Sequence, residues 1–282
     1  MLIFFSIISN TGVFLYGNDS ISLNGYEKQL QQKFTELVSV LSNERREEVN
    51  DRITSLLVEA LDFPGSFEYP FDSLAYMGKV MSPDSLLSIY SWNVPMAGEG
   101  NLYSGILQFR DTTDLTHNII VLEHQKSGYD EGIETGELNA STWYGALYYQ
   151  IVPVERDGST AYTLIGLDHN DYYTNRKVID LMIPRNGDVT FGAPVFRISG
   201  DLRNRVVFEY SSRVVMHLRY HEEFGKIVCD HLSPPDERYR GQYRYYGPDF
   251  SYDGFIFEDG EWMHLTDIDV MIREKPEVPE IK

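Results

Sequence analysis

The chain has 282 residues, of which 42% are hydrophobic and 13% aromatic, and it carries 24 basic against 43 acidic side chains. This amount of apolar surface can offset the conformational entropy lost on folding, so the composition excludes an intrinsically disordered chain. The formal net charge of −19 repels phosphate backbones and acidic membrane surfaces, which argues against nucleic acid as a partner.

The first 17 residues carry no charge and begin with a largely apolar run, residues 2–8. This run has the length of the hydrophobic region of a signal peptide and is too short to cross a bilayer as a helix. A preceding basic segment and a following small-residue cleavage site are both lacking, so a buried first strand is the alternative. We expect residues 1–17 to be a signal peptide or a hydrophobic N-terminal segment of an exported protein, periplasmic or at the cell surface, with a cytoplasmic location as the alternative.

Residues 18–65 are predicted to form a helical hairpin. Apolar side chains recur at helical spacing over 26–41, and again from residue 49 onward. Ser42 lies between the two stripes and can cap the second helix, and Pro64-Gly65 can end it. Each stripe needs a partner, so we expect the hairpin to pack on the part of the chain that follows.

From about residue 74 the pattern changes to period two, which predicts a large antiparallel β domain over residues 66–273 and a flexible tail over 274–282. A sandwich, an open barrel and an irregular propeller all fit this meander. The fold class is therefore α+β and mainly β. Two long loops are expected, at 125–142 and 233–253. The predicted strands are 74–80, 86–94, 102–110, 118–124, 143–155, 161–168, 176–183, 193–199, 204–210, 213–221, 226–232, 254–258 and 261–265.

Common catalytic motifs are lacking in this sequence. There is no G-x-S-x-G elbow, no P-loop and no dinucleotide fingerprint. Cys229 is the sole cysteine, so the chain can form no internal disulfide, and its apolar surroundings predict a small buried core side chain. The sequence leaves open whether the protein is an enzyme, and a non-enzymatic role is favoured.

Several segments together resemble a family of exported Bacteroidota proteins that has no assigned activity. The resemblance covers residues 75–270 and implies a compartment and no catalytic residues. The segments that carry it are Ser88–Pro95, Trp143–Tyr149, Tyr162–Asn170, Phe191–Phe196, Asp230–Leu232, Tyr245–Asp249 and Ser251–Phe255.

Residues 238–249 contain three arginines and four tyrosines within twelve residues. Aromatic rings beside polar groups can stack on the faces of sugars, and arginines can stack on such rings. The alternative is a structural loop whose tyrosines cover the end of the β core. The binding interpretation predicts a glycan or a cell-envelope component as partner, contacted by Arg240, Tyr243, Arg244, Tyr245, Tyr246 and, from another predicted strand, Trp143.

Two sets of oxygen ligands suggest weaker alternatives. Asp249 and Asp253 could form the carboxylate pair of a glycosidase-like hydrolase. Asp168, Asn170 and Asp171 lie between two predicted strands and could offer oxygen atoms to Ca²⁺, although the spacing only partly matches a calcium loop. Asx-rich connections of this kind are also ordinary turns.

His217 and His221 lie four apart in a predicted strand and so share a face, with Glu223 two residues further on. Such a set could hold Zn²⁺, but histidines at the edge of the core are the favoured interpretation. We therefore expect a binding or structural protein with an aromatic loop surface and no cofactor. The alternative is a carboxylate-based hydrolase assisted by Ca²⁺.

Overall fold

The computed structural model describes residues 22–98, 100–110, 117–124 and 132–269. The expectations for residues 1–17 and 274–282 lie outside these ranges. The described residues form four layers, in which two helices cover one sheet and two further sheets follow. The predicted fold class, an N-terminal helical pair on a mainly antiparallel β structure, is confirmed.

The helical layer consists of α1 (Leu23–Ser39) and α2 (Asn43–Leu61). The Ser22 hydroxyl accepts a hydrogen bond from the Gly25 amide at 3.2 Å, and the Ser42 hydroxyl accepts one from the Arg45 amide at 3.2 Å. These caps satisfy amides that an isolated helix leaves unpaired at its first turn. Neither helix is long and apolar enough to cross a membrane.

In the part of the chain that the structure describes, the strands form three sheets, and their pairing is antiparallel except for one pair of strands in the third sheet. Sheet 1 contains β1 (Gly78–Met81), β2 (Leu87–Met96), β3 (Gly100–Arg110) and β4 (His117–Glu123). Sheet 2 contains β5 (Leu138–Asn139), β6 (Leu147–Arg156), β7 (Ser159–Asp168), β8 (Thr174–Arg185), β9 (Asp188–Phe191) and β12 (Arg205–Ser211). Sheet 3 contains β10 (Phe196–Ile198), β11 (Asp201–Arg203), β13 (Leu218–His221), β14 (Lys226–Ser233), β15 (Gly247–Glu258) and β16 (Glu261–Leu265).

Three apolar cores separate the layers. The first packs both helices on sheet 1, the second lies between sheets 1 and 2, and the third lies between sheets 2 and 3. Large fully buried side chains anchor them, among them Trp92 in the first, Trp143 in the second and Trp262 in the third. The sheets are therefore stacked, which corresponds to the sandwich among the three architectures that the strand pattern left open.

The predicted loop 233–253 is only partly a loop, because β15 begins at Gly247. Gly247 and Pro248 pair with Ser233 and Leu232 of β14, which extends the sheet into residues whose composition is typical of a turn. The predicted strand 193–199 is also shorter than expected. It is reduced to β10, and the sequence pattern missed β9 just before it.

Candidate functional site

The connection between β14 and β15 forms a compact loop, residues 234–246, built on two short 3₁₀ turns, Glu237–Tyr239 and Tyr243–Tyr245. The Asp236 carboxylate accepts a hydrogen bond from the Arg238 amide at 3.0 Å and starts the first turn. The Tyr246 hydroxyl accepts one from the Gly241 amide at 2.9 Å and closes the loop on itself. The sequence therefore gives this segment a defined shape although it contains no strand.

The arginines of the loop are already partnered. Arg238 donates to both carboxylate oxygens of Asp236, at 2.9 and 3.1 Å, and Arg240 pairs with Glu237. The Arg244 guanidinium lies 4.9 Å from the ring centre of Tyr245. Because two of the three positive charges are neutralised within the loop, it favours an uncharged ligand over a strongly anionic one.

The tyrosines of the loop are stacked in pairs and partly open to solvent. The ring centres of Tyr239 and Tyr245 are 4.4 Å apart, and those of Tyr243 and Tyr246 are 5.1 Å apart. Tyr243 is 45% exposed and Tyr245 is 38% exposed. Tyr246 is half-buried and contacts the third core, so it supports the other rings and is less accessible to a ligand. Two predicted ligand contacts, Tyr243 and Tyr245, thus lie where a ligand can reach them.

Two other segments with exposed side chains are connected to this loop by backbone hydrogen bonds. The Ser211 amide donates to the carbonyl of Tyr246 at 3.0 Å, and the Ser212 amide donates to that of Tyr173 at 2.9 Å. Side chains of both neighbouring segments are open to solvent: Tyr172 (87%), Tyr173 (57%) and Val215 (85%). We call Tyr172, Tyr173, Val215, Tyr243 and Tyr245 the aromatic surface.

A bulge in β15 lies beside this loop. Pairing with β14 is interrupted between Pro248 and Tyr252, opposite His231. Phe250, within the interruption, is 95% exposed and has a φ of 73°. A bulky side chain in the left-handed region is uncommon and costs free energy, and such strained positions are enriched at functional sites.

His231, Asp253 and His264 meet where the bulge ends. His231 Nδ1 lies 2.8 Å from Asp253 Oδ2, and His264 Nε2 lies 3.6 Å from the same oxygen. The other oxygen of Asp253 accepts a hydrogen bond from the Asp267 amide at 3.2 Å. The His231 side chain is 45% exposed, whereas that of Asp253 is only 11% exposed. A largely buried carboxylate therefore orients a histidine that solvent can reach.

The pKa values of the two histidines in this cluster are shifted in opposite directions. The hydrogen bond to Asp253 raises the pKa of His231, and the negative charges of Asp253 and Asp249 add to the effect. Burial lowers the pKa of His264. An imidazole oriented by a carboxylate is a common arrangement for proton transfer near neutral pH.

Asp249 does not share this role. Partial burial opposes its ionisation, but hydrogen bonds from the Ser251 hydroxyl and amide, at 2.7 and 3.1 Å, give it a net lowered pKa. Asp253 is held instead by His231. Asp249 lies within the bulge and Asp253 in regular pairing beyond it, and their different partners are unlike the acid and base of a glycosidase acting as a pair.

No protein-family model, curated protein or solved structure matches this chain.

The predicted calcium loop is an Asx turn. One oxygen of Asp171 accepts hydrogen bonds from the amides of Tyr173 and Thr174, both at 2.7 Å, and the Asn170 side chain donates to the Thr174 hydroxyl at 2.7 Å. Asp168 is buried nearby, and its carboxylate accepts a hydrogen bond from the Tyr144 hydroxyl at 3.0 Å. These contacts favour a structural turn over a cation site.

No group of three or more histidine, cysteine, aspartate or glutamate side chains is placed to hold a metal ion within residues 22–98, 100–110, 117–124 and 132–269. Trp143, expected among the ligand contacts, is 0% exposed in the second core, where its Nε1 donates to the Tyr148 hydroxyl at 3.0 Å. It is therefore not part of the aromatic surface.

The sequence reasoning missed Tyr172, Tyr173 and His264 as site residues. Tyr172 and Tyr173 follow an Asx-rich turn, and two consecutive tyrosines in such a turn could have signalled an exposed pair. His264 carries no such signal, because only the pairing of β15 with β16 brings it to Asp253.

Proposed function

We propose that this protein is an exported, non-enzymatic binding protein that presents the aromatic surface to a glycan or another cell-envelope ligand. The observation that carries the proposal is the convergence of exposed rings from separate segments: Tyr172 and Tyr173 after β7, and Tyr243 and Tyr245 before β15. Contiguous exposed apolar side chains on a folded protein are typical of interaction sites.

The chemistry of the surface supports a neutral, ring-shaped ligand. Tyrosine offers an apolar face for the C–H groups of a sugar ring and a hydroxyl for hydrogen bonding. Arg238 and Arg240 are paired with acidic side chains of their own loop, so they provide little free positive charge for an anionic ligand. The net charge of −19 also disfavours polyanions.

The test is binding to a panel of soluble neutral oligosaccharides, measured by calorimetry. We expect wild-type protein to bind at least one of them and the Tyr243→Ala/Tyr245→Ala variant to bind it at least tenfold more weakly. Tyr76→Ala is the matched control, because Tyr76 is 54% exposed but lies before β1, in another part of the fold.

Two results would count against the proposal. One is a wild-type protein that binds nothing in the panel, and the other is an equal loss of affinity in Tyr76→Ala. The export part is tested separately, by mass spectrometry of the protein isolated from cells. An N-terminus after residue 17 supports export, and an intact Met1 on protein confined to the cytoplasm refutes it.

A second candidate function, hydrolysis, is favoured by one observation, the hydrogen bond between His231 and Asp253 next to the aromatic loop. This geometry assigns the proton-transfer step to His231 and an orienting role to Asp253. Chromatography of the bound oligosaccharide after long incubation separates the two functions. Products that vanish in His231→Gln would support hydrolysis, and unchanged oligosaccharide would support binding alone.

A further inference from the structure

His217 and His221 face each other on the outer side of sheet 3. Their Nε2 atoms are 3.2 Å apart and their rings are tilted by 39°. In an extended chain the two Cα atoms are about 13 Å apart, so both side chains must reach along the strand toward each other. The main chain is fixed there, because His217 exchanges hydrogen bonds with Asp230, whose carboxylate accepts from the His217 amide at 2.6 Å.

Glu223 sets the orientation of one of these rings. Its carboxylate oxygen lies 3.3 Å from Nδ1 of His221. A proton on Nδ1 that donates to Glu223 leaves the lone pair on Nε2, the atom that lies 3.2 Å from Nε2 of His217. Metal-binding histidines are commonly held by a carboxylate in this way.

We propose that His217 and His221 bind a divalent transition-metal ion such as Zn²⁺ through their two Nε2 atoms, with water in the remaining positions. For tetrahedral Zn²⁺ with bonds of about 2.0–2.1 Å, two ligand nitrogens are about 3.3 Å apart. The observed separation of 3.2 Å fits this value. The His221 side chain is 25% exposed and His217 is exposed, so water can complete the coordination.

The charges around the pair indicate which ions it selects. Glu223 and Asp230 are near the imidazoles, but Arg219 and Lys177 act on His217 as well, and Lys226 pairs with His221 across β13 and β14. The site therefore gains little from excess negative charge. Ions that depend on carboxylate oxygens, such as Ca²⁺ and Mg²⁺, should bind weakly, whereas ions that prefer imidazole nitrogen should bind.

The experiment is a titration of the metal-stripped full chain with Zn²⁺ by calorimetry, with a parallel thermal-unfolding series. We expect one Zn²⁺ per chain and a melting temperature that rises with Zn²⁺ concentration, as for any ligand that binds only the folded state. Equimolar Ca²⁺ and Mg²⁺ should leave the melting temperature unchanged. His217→Gln and His221→Gln should each abolish the Zn²⁺ response, and Glu223→Gln should weaken binding about 10- to 100-fold.

His231→Gln is the matched control, because His231 belongs to the other histidine cluster of sheet 3 and should leave the response intact. Wild-type protein that shows no Zn²⁺ response overturns the proposal. So does a response that survives in both His217→Gln and His221→Gln, or one that only His231→Gln removes. Because His217 and His221 lie on the surface, all variants should melt within a few degrees of wild type without metal, and Gln at either position keeps the size of the side chain.

Discussion

The ion pair of Asp180 and Arg205 predicts a large and specific effect on stability. Both side chains are 0% exposed, and Arg205 Nε lies 3.0 Å from Asp180 Oδ2. They are opposite each other in the pairing of β8 with β12, and Arg205 also donates to the carbonyls of Ile133 and Gly136. Asp180→Ala would leave a guanidinium buried without its counter-charge.

The expected cost follows from this burial. Removing one partner of a buried pair destabilises by about 3–5 kcal/mol, since the remaining charge has lost both water and its partner. For a chain of this size that corresponds to a fall in melting temperature of roughly 6–20 °C. The double variant Asp180→Ala/Arg205→Met removes both charges and should recover much of the loss. The free energy of unfolding of the double variant should stay below that of wild type by about 1–3 kcal/mol, because two buried carbonyls lose their hydrogen-bond donor.

Urea unfolding of wild type, both single variants and the double variant forms a double-mutant cycle. A coupling free energy of at least about 2 kcal/mol, with the double variant more stable than Asp180→Ala, is the expected result. Two results would refute the reasoning: a loss below about 1 kcal/mol for Asp180→Ala, or strictly additive single effects. Arg197→Met is the control, because Arg197 Nε lies 2.6 Å from Glu261 Oε2 but its side chain is 33% exposed.

Three further predictions concern titration and strain. Burial raises the pKa of Asp168 to about 6 in the folded protein, so the folded state holds this proton more tightly than the unfolded chain, and the stability falls as the pH rises from about 4 to 6. In Asp168→Asn, the midpoint of urea unfolding should therefore change less with pH over this range than it does in wild type. Asp253→Asn should lower the pKa of His231, measured by NMR titration, because the hydrogen bond between the two side chains raises that pKa. The stability that this hydrogen bond adds is present below the pKa of about 6.5 in the unfolded chain. It is lost as the pH rises through the pKa of the folded protein. Phe250→Gly should raise the free energy of unfolding by up to about 1 kcal/mol, because glycine tolerates a positive φ, and a decrease would contradict this.

The sequence predicts the helical hairpin well because its signals are local. Helical spacing of apolar residues over 26–41 leads to α1, and Ser42 caps α2 as expected. Thirteen of the sixteen strands in the described residues are predicted in the right order, since alternation is a local pattern too, but the short strands β5, β9 and β11 are missed. The stacking of three sheets is not local, because it depends on which face of each strand meets which neighbour. Strand β8, for example, places Ile179 and Leu181 in the third core and Val178 and Met182 in the second, and its sequence does not show which neighbour each face meets.

The beginning of β15 shows where local signals mislead. Gly247, Pro248 and Asp249 are typical of a turn, and the sequence accordingly predicts a loop up to residue 253. In the structure the pairing of Gly247 and Pro248 with β14 outweighs this composition. The chain still departs from regular pairing at Phe250, so the composition does mark a real irregularity, one that is short and lies inside the strand.

The site could be predicted only in part, for the same reason. Tyr243, Tyr245 and Asp253 are recognisable from composition, but the partners that give Asp253 its role come from β14 and β16. The neighbouring residue Asp230 is the obvious partner of His231 in the sequence, yet adjacent residues of a strand point to opposite faces. Asp230 contacts His217 on the outer side instead.

The exposure of Phe250 and Tyr172 separates a binding surface from a structural loop. Burying a large aromatic side chain gains about 1.5–3 kcal/mol, and this chain buries its tryptophans fully in three cores while leaving Phe250 at 95% and Tyr172 at 87% exposed. A loop that served only to cover the end of the β structure would turn such rings inward, as Tyr246 does. Phe250 adds backbone strain to the cost of exposure. If Phe250→Gly is more stable than wild type and also binds the same oligosaccharide more weakly, one explanation accounts for both the strain and the exposure. The Phe250 ring is then kept exposed because it contacts a ligand.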